Sequence, residues 1–293
     1  MSDKPAYYFT DVFAEGKYEG NQLATFIHCA SFSDKRMQQI AREINFSETT
    51  FILSGQKDNG GYDVRIFTPG AEVDFAGHPT LGTAHVIKKY VMREEADQVL
   101  LNLKIGQIPV NFSEDGTVWM KQMKPEFGQN ISTGMIADVL GLKTEDIDSQ
   151  WPVQEVSTGL PQTIVPLKSL DALKRCNVDL MKYRSFIEKY EGKVILTFSP
   201  ESYNEEQQLS VRVFPICFGI PEDPATGSGN GCLAAYLVKH RYFGSSSIQV
   251  SVGQGYEIGR PSTLYLNASE KEFIEVFVGG KVQDVAKGEW QTD

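Results

Sequence analysis

Two short segments of the chain combine glycines with polar side chains that could do chemistry. The first is Gly77-His78-Pro79-Thr80 and the second is Asp223-Pro224-Ala225-Thr226-Gly227-Ser228-Gly229. Each follows a stretch typical of a strand and opens a stretch typical of a helix. The first N–H groups of a helix lack partners within it and lie at the positive end of its dipole, and glycine lets a ligand come close to the backbone. Both segments are therefore candidate anion-binding sites.

A structural interpretation of these segments competes with that hypothesis. Asp223-Pro224 is also a good N-cap followed by proline at the first helical position. His78, taken alone, is more often a structural or surface histidine. Two glycine-rich helix starts at matching positions favour a functional role, because capping alone does not require them. Ser228 does not lie in a Gly-x-Ser-x-Gly nucleophile elbow, so we interpret it as a hydrogen-bond donor.

The glycine-rich loop does not match the common nucleotide-binding motifs. The segment Gly227-Ser228-Gly229-Asn230-Gly231 lacks the Lys-Ser/Thr of a P-loop. It also lacks the GxGxxG spacing of a dinucleotide site and the acidic residue that follows such a site. We therefore expect no nucleotide cofactor.

Glu48 is a third candidate, within Asn45-Phe46-Ser47-Glu48-Thr49. It lies between the end of a predicted helix and a predicted strand. A single glutamate is usually exposed on the surface and has no special role. The end of a strand is nevertheless where an α/β protein commonly places the residues of its site.

An internal repeat links the two glycine segments. Several landmarks recur in the same order at an offset near half the chain, which indicates gene duplication and two lobes related by a pseudo-twofold axis. The matched pairs are Val64-Arg65-Ile66-Phe67 with Val211-Arg212-Val213-Phe214, Gly106-Gln107 with Gly253-Gln254, and, more weakly, Gln22–Ile27 with Gln162–Val165.

Both halves show strands around helices. The predicted strands of the first half are Ala6–Phe13, Phe51–Leu53, Tyr62–Phe67, Val99–Leu103 and Val118–Met120. One predicted helix follows Ser33 as N-cap, with Met37, Ile40, Ala41 and Ile44 on one face, and another runs from His78 to about Tyr90. The second half is predicted to contain a helix at Asp179–Tyr190, strands at Val194–Phe198 and Val211–Phe214, and a helix at Gly229–His240.

These elements predict an α/β (α+β) fold with two lobes, each a mixed sheet around a central helix. The N-terminal lobe is expected to span residues 1–121 and the C-terminal lobe residues 122–280. By symmetry, residues 281–293 should cross back to the N-terminal lobe. The crossing from the first lobe to the second is expected at Lys121–Gly128, which contains Pro125.

The composition of the chain limits which kinds of molecule it is expected to bind and where it is expected to be located. The net charge of −10 opposes binding to nucleic acid or to an anionic membrane, because those surfaces need clustered Lys and Arg. Residues 1–10 do not resemble a secretory signal and no apolar run is long enough to span a bilayer, so a cytoplasmic location is expected. The four cysteines show no CxxC spacing, which argues against a zinc site and a disulfide framework. They are expected to be reduced and mostly buried.

Nearly the whole chain resembles the phenazine-biosynthesis PhzF-like isomerase family. The segments that carry the resemblance are Gly20-Asn21-Gln22-Leu23-Ala24, Asn45-Phe46-Ser47-Glu48-Thr49, Phe67-Thr68-Pro69, Ala76-Gly77-His78-Pro79-Thr80-Leu81-Gly82 and Asp223-Pro224-Ala225-Thr226-Gly227-Ser228-Gly229. The resemblance implies a diaminopimelate epimerase-like fold, a cleft between the lobes and a homodimer.

The resemblance also implies roles for individual residues. Glu48 would be the general acid/base, with His78 and Asp223 as further catalytic residues beside it. The substrate would be bound by Ser228, by the backbone of Gly77 and Gly227, and by Asn21.

Related epimerases and racemases use two cysteines at the helix starts, at positions that align near Ala76 and Thr226. None of the four cysteines lies at either place, which excludes a two-thiol mechanism. The remaining hypothesis is an isomerase that uses neither a cofactor nor a metal, and in which Glu48 moves a proton on a small anionic carboxylate. The alternatives are a catalytically silent binding or scaffold protein, and a lyase or hydrolase that uses the same residues.

Overall fold

A computed structural model describes residues 4–92 and 96–291 of the chain. The chain forms two compact units. The first unit comprises Met1–Met120 together with Gly279–Asp293, and the second comprises Lys121–Val278. The first unit is therefore built from two stretches that are distant in sequence.

The strands of the first unit pair side by side in the order β17, β1, β2, β3, β4, β6, β7, β8, with β5 also paired to β4. Their bounds are β1 Ala6–Val12, β2 Asn21–Ile27, β3 Glu48–Ile52, β4 Gly61–Phe67, β5 Glu72–Val73, β6 Gln98–Leu103, β7 Gly106–Phe112, β8 Val118–Lys121 and β17 Val282–Glu289. The helices are α1 Asp34–Ile44 and α2 Gly77–Val86, and α2 continues as a π-helical turn over Ile87–Met92.

In the second unit, the pairing order is β9, β10, β11, β12, β13, β14, β15. The strand bounds are β9 Glu126–Asn130, β10 Gln154–Ser157, β11 Pro161–Pro166, β12 Val194–Ser199, β13 Leu209–Phe214, β14 Ser247–Gln254, β15 Ser262–Glu270 and β16 Ile274–Gly280. The helices are α3 Thr133–Leu140, α4 Leu170–Arg175, α5 Leu180–Ile187 and α6 Gly227–Lys239.

The two units repeat one pattern of strand directions. From β1 to β7 the successive pairs are antiparallel, parallel, antiparallel, parallel and antiparallel. From β10 to β15 the pairs follow the same order of directions. In each unit the first strand of this series also pairs with a further antiparallel strand, β17 in the first unit and β9 in the second. This agreement in strand directions is expected if the two units arose by duplication of one ancestral unit.

One matched pair of the predicted repeat, Gly106-Gln107 with Gly253-Gln254, is wrong. Gly106-Gln107 begins β7, a strand that pairs antiparallel with β6 and β8. Gly253-Gln254 instead ends β14, which pairs parallel with β13. The pairing directions make β6, and not β7, the counterpart of β14. The two Gly-Gln dipeptides therefore match by chance.

Each unit surrounds one helix that is buried on almost all sides. In α2 the buried residues run from His78 to Val86 with only His85 excepted, and α6 is buried from Gly229 to Val238. A helix that buries every face belongs to the interior of a domain and shows no amphipathic stripe. The close packing of α2 requires Gly82, because a Cβ there would lie 2.5 Å from Leu23 and 2.8 Å from Val12.

Among the remaining helices, α1, α4 and α5 have N-caps whose side chains accept hydrogen bonds from backbone N–H groups. Ser33 caps α1 and accepts a hydrogen bond from the Arg36 N–H, while Met37, Ile40 and Ala41 are buried, as the sequence predicts. Asp179 caps α5 by accepting hydrogen bonds from two backbone N–H groups. Among the described residues, no helix has the length and apolar character that crossing a bilayer requires.

Candidate active site

Glu48 and His78 lie together in the first unit. Glu48 is the first residue of β3, and His78 is the second residue of α2. The Glu48 Oε2 and His78 Nε2 atoms are 3.4 Å apart, and the side chains are 17% and 7% exposed. A carboxyl group and an imidazole in contact in a shielded place can exchange a proton with each other and with a ligand.

The environment of His78 favours its neutral form. Burial lowers the pKa of His78 to about 3, and the hydrogen bond of the ring to the backbone of Gln22 acts in the opposite direction. Because Nε2 faces Glu48, the bond to Gln22 involves Nδ1. In the neutral ring Nδ1 then carries the hydrogen, and Nε2 presents its lone pair towards Glu48.

Asn21 and Gly77 lie on the neighbouring elements of the same unit. Asn21 is the first residue of β2, which runs parallel to β3, and its side chain is buried. The turn before it needs Gly20, which has a φ of 65° and a backbone that approaches Val12 too closely for a Cβ. Gly77 is the first residue of α2, and no described side chain caps that helix. The amides of its first turn are therefore left for a ligand.

Asp223, Gly227 and Ser228 lie in the second unit. Asp223 is buried, and its backbone N–H donates to the Val213 carbonyl at 3.0 Å. The Thr226 hydroxyl donates a short hydrogen bond to the Asp223 carboxylate. Gly227 is the first residue of α6, and the described residues provide no side-chain cap for this helix either. This set therefore combines free helical amides with a fixed carboxylate.

Ser228 is held by a buried glutamine that the sequence does not single out. The Gln162 Nε2 group donates to Ser228 Oγ at 3.4 Å, and Gln162 is fully buried. A Cβ at position 229 would lie 2.7 Å from Gln162 Oε1, so Gly229 lets the helix approach β11. Because an amide N–H can only donate, the hydroxyl hydrogen of Ser228 is left to point elsewhere.

Two matched ion pairs support the segments that lead to the helix starts. Arg65 on β4 binds both carboxylate oxygens of Glu72, at 2.7 and 2.8 Å. Arg212 on β13 binds both oxygens of Glu222, at 3.0 and 2.7 Å. Such two-point bonds fix orientation as well as distance. The repeated Val-Arg-x-Phe pattern contains both arginines, but it does not indicate which glutamates they bind.

The two units differ where the candidate residues lie. Asp74 corresponds to Asp223 in the repeat, but its side chain is 67% exposed and its Oδ1 atom lies 3.8 Å from Lys104 Nζ. The N-cap residue is Ala76 in the first unit and Thr226 in the second. The strand that corresponds to β3 begins with Val194 and is buried throughout. A base equivalent to Glu48 is therefore missing from the strand that matches β3.

The described histidine, cysteine and acidic side chains bear on two features, a possible metal site and the state of the thiols. Within residues 4–92 and 96–291, no group of three or more His, Cys, Asp or Glu side chains could hold a metal ion. All four cysteines are free thiols, of which Cys29, Cys176 and Cys232 are buried and Cys217 is exposed. This distribution agrees with the expectation of reduced and mostly buried thiols.

Comparisons with known proteins cover nearly the whole chain. A family model described as phenazine biosynthesis-like protein (PhzC-PhzF) matches residues 10–288. The chain is 34% identical to trans-2,3-dihydro-3-hydroxyanthranilate isomerase of Pseudomonas aeruginosa, over 89% of this chain and 90% of the relative. A crystal structure of a PhzF family phenazine biosynthesis protein of Bacillus anthracis has a TM-score of 0.90 at 26% identity, and the match covers 99% of this chain and 100% of that one.

A more distant structure shows the breadth of the fold. A probable proline racemase of Agrobacterium radiobacter has a TM-score of 0.61 at 9% identity, with 99% of this chain and 93% of that one covered. At this identity the likeness concerns the fold alone. The expected epimerase-like α/β fold is confirmed.

Proposed function

The chain belongs to the phenazine biosynthesis-like (PhzC-PhzF) protein family, and from this premise we propose that it is an isomerase that works without a cofactor. In this proposal Glu48 is the general acid/base that moves a proton on a small carboxylate substrate. Relatives that carry the name isomerase support the reaction class. The assignment of Glu48 rests on the family resemblance and is supported by its contact with His78, and the choice of substrate rests on the name of one relative.

The contact between Glu48 and His78 carries the proposal. Neutral His78 presents a lone pair to a carboxyl oxygen 3.4 Å away. Two lone pairs in a shielded place repel each other, so a single proton held by the pair relieves the repulsion. In its ionised form Glu48 can take a proton from one carbon of the substrate. The protonated carboxyl group then donates a hydrogen bond to the Nε2 atom of His78 until it returns the proton to another carbon.

The uncapped helix starts supply the second part of the mechanism. Removal of a proton next to a carboxylate or an unsaturated system leaves negative charge spread over the substrate. Oriented backbone amides at a helix N-terminus stabilise such charge as it develops. We assign this role to the amides that begin at Gly77 and Gly227. Asn21, Ser228 and Asp223 would orient the substrate through hydrogen bonds.

The named substrate of one relative is the first compound to test. The Pseudomonas aeruginosa relative is named for trans-2,3-dihydro-3-hydroxyanthranilate, which carries a carboxylate on an unsaturated ring. A proton removed from a saturated ring carbon leaves an anion that the double bonds and the carboxylate can delocalise. A compound of this class therefore matches a site built to move a proton and to stabilise an anion.

Solvent exchange tests the role of Glu48. The wild-type protein, incubated with this substrate in D2O, should introduce deuterium into the isomerised product. Glu48→Gln keeps the shape but removes the base, and we expect exchange to fall by at least a hundredfold. Glu43 is an exposed residue of α1, so Glu43→Gln is the matched control and should exchange as the wild type does.

The same experiment separates the alternatives. Undiminished exchange in Glu48→Gln would overturn the assignment of the base. A substrate that raises the melting temperature of the wild type but never exchanges would indicate a binding protein without turnover. A product of changed mass would indicate a lyase or hydrolase, because an isomerase conserves mass.

We also propose that the chain forms a homodimer, as the family resemblance implies. Sedimentation equilibrium at micromolar concentration measures the mass directly. A single species at the monomer mass of 32.7 kDa would contradict this proposal.

A further inference from the structure

We propose that Gln254 is a positioning residue of the site: through the Thr226 hydroxyl it fixes the direction of the hydrogen bond that holds the Asp223 carboxylate. The proposal rests on the proposed function for its catalytic meaning. Neither Gln254 nor Thr226 is among the catalytic or substrate-binding residues that the family resemblance implies.

Gln254 joins three parts of the turn that precedes α6. Its Nε2 group donates to the Asp223 carbonyl at 2.8 Å and to the Thr226 hydroxyl at 3.0 Å. Its Oε1 atom accepts from the Thr226 backbone N–H at 3.2 Å and from Asn230 Nδ2 at 2.9 Å. Gln254 is fully buried, so all these bonds form away from water. The side chain therefore uses both its donor and its acceptor capacity on this one turn.

The order of these bonds fixes the position of a proton. The amide of Gln254 can only donate to Thr226 Oγ1, so the hydrogen of that hydroxyl is available for another acceptor. That acceptor is the Asp223 Oδ2 atom, to which Thr226 donates its short bond. The result is a one-way series of donors from Gln254 through Thr226 to Asp223. A carboxylate that receives such a bond is stabilised in its ionised form and held in one orientation.

The backbone conformation at the end of β14 places Gln254 close to this turn. Gln254 ends β14, where it pairs with Val211 of β13. The next residue, Gly255, has a φ of 80°, and a Cβ there would lie 2.6 Å from the Pro224 carbonyl. Only glycine permits this approach, which brings the end of β14 beneath the turn.

The first unit provides a natural comparison within the same chain. There, Asp74 is largely exposed and Ala76 stands in place of Thr226. The strand that matches β14 is β6, which ends at the apolar Leu103. The second unit thus combines a buried carboxylate with the hydroxyl and the amide, whereas the matching positions of the first unit have an exposed carboxylate and neither of the other two groups. The joint occurrence of the three groups favours one hydrogen-bonded series that acts on Asp223 over three unrelated structural contacts.

The neighbouring Glu222 forms a separate ion pair with Arg212. Glu222, next to Asp223 in the chain, is engaged by both nitrogens of the Arg212 fork. Arg212 also donates to backbone carbonyls of Leu173, Lys174 and Cys176. This ion pair anchors the segment, whereas the hydroxyl of Thr226 directly contacts the carboxylate.

A titration of Asp223 tests the inference without any substrate. Protein labelled with 13C at the Asp carboxyl carbons gives one signal per aspartate, and Asp223→Asn identifies the signal of interest. Thr226→Val removes the hydroxyl and keeps the shape, and we expect it to raise the titration midpoint of Asp223 by about one pH unit. Thr226→Ser keeps the hydroxyl and should restore the wild-type midpoint. Gln150→Met, on the exposed surface, should change nothing.

A double-mutant cycle tests the role of Gln254 itself. Gln254→Met removes the amide without adding charge, and it should raise the midpoint in the wild-type background but not in Thr226→Val. Equal shifts in both backgrounds would show that Gln254 acts directly and would overturn the series. An unchanged midpoint in Thr226→Val, or in Gln254→Met should the valine variant not fold, would overturn the proposal. If the midpoints move as expected but wild-type protein exchanges no substrate proton, the proposed function fails and the positioning role stands.

Discussion

At the scale of single residues, the burial of His78 links the site to pH. Burial lowers the pKa of His78 from 6.5 to about 3, so the folded protein keeps the imidazole neutral over a range in which an unfolded chain would protonate it. Wherever the unfolded state binds more protons, stability falls as the pH falls. The burial of His78 therefore costs stability in mildly acidic solution.

Unfolding measurements on His78→Gln test this consequence. Between pH 6.5 and about 3, the wild type should lose up to about 1.4 kcal/mol of unfolding free energy per pH unit more than the variant, which has no imidazole. Urea unfolding at pH 7, 6 and 5 measures the two slopes. Parallel slopes would show that folded His78 gains a proton readily, as contact with the Glu48 carboxylate would promote.

The thiols give a second prediction at this scale. Burial raises the pKa of Cys29 and of Cys176 to about 12 and that of Cys232 to about 11. Only thiolates react quickly with disulfide reagents. Partial burial also raises the pKa of the exposed Cys217, so its reaction should be slower than that of a free thiol. At pH 8 the native protein should release about one equivalent from such a reagent, from Cys217, and four in denaturant. Cys217→Ser should abolish the native reaction, and rapid modification of two or more thiols would contradict the burial pattern.

Residue types and spacing predicted part of the candidate site. The two glycine segments could be identified as helix starts from the sequence, and both begin helices in the structure. The role of Glu48 depended on the family resemblance, because a single glutamate carries no spacing signal. The contacts of Gln162 and Gln254 could not be predicted from the sequence, since each side chain forms hydrogen bonds to residues far away in sequence.

At the scale of elements, the start of β3 shows how polar residues mislead a sequence prediction. The sequence predicts a strand only at Phe51–Leu53, whereas β3 begins at Glu48. Thr50 looks like a loop residue, but it is fully buried and its hydroxyl bonds to those of Thr25 and Thr83 at 3.0 and 2.8 Å. Hydroxyl partners from other elements satisfy these groups, and a sequence pattern does not reveal them.

The predicted helices were more accurate than the predicted strands. Ser33 and the apolar spacing located α1 correctly, and the glycine segments located the starts of α2 and α6. The elements that were not predicted are helices α3 and α4 and strands β2, β5, β7, β9, β10, β11, β14, β15, β16 and β17. Strands β9 and β17 are largely exposed and have a mixed composition, so their alternation is weak.

The close packing of α2 around Gly82 leads to a prediction about the free energy of unfolding. Gly82→Ala places a methyl group 2.5 Å from Leu23 and 2.8 Å from Val12, so we expect a loss of about 1 to 3 kcal/mol in unfolding free energy. Gly134→Ala in α3 is the matched control, because its nearest neighbour is the Ser132 hydroxyl oxygen at 3.9 Å. That control should gain up to about 1 kcal/mol from helix propensity. Equal effects of the two changes would contradict the described packing of α2.

At the scale of the whole molecule, the first unit depends on a distant strand. β17 pairs with β1 along its length, from Ala6 with Glu289 to Val12 with Val282. His85 and Tyr90 add contacts to Asp284 on the same strand, at 3.2 and 2.9 Å. Residues 1–120 alone would expose the edge of β1 and lose these contacts.

A rearranged fragment tests this dependence. Residues 279–293 joined directly before residues 1–120 would turn β17 and β1 into a hairpin, and we expect this fragment to unfold cooperatively in urea. Residues 1–120 without that segment should show no cooperative transition. Circular dichroism during urea titration measures both. Similar transitions for the two fragments would show that β17 is dispensable.

The pairing of β1 with β17 also has a consequence for how the protein is made. About 270 residues separate Val12 from Val282, and a ribosome adds roughly 5 to 20 residues per second. The edge of β1 therefore waits roughly 15 to 55 s for its partner, while the second unit, which is continuous in sequence, can be completed first. During that interval a nascent chain exposes an open strand edge, so the half of the molecule that carries Glu48 and His78 is the last to mature.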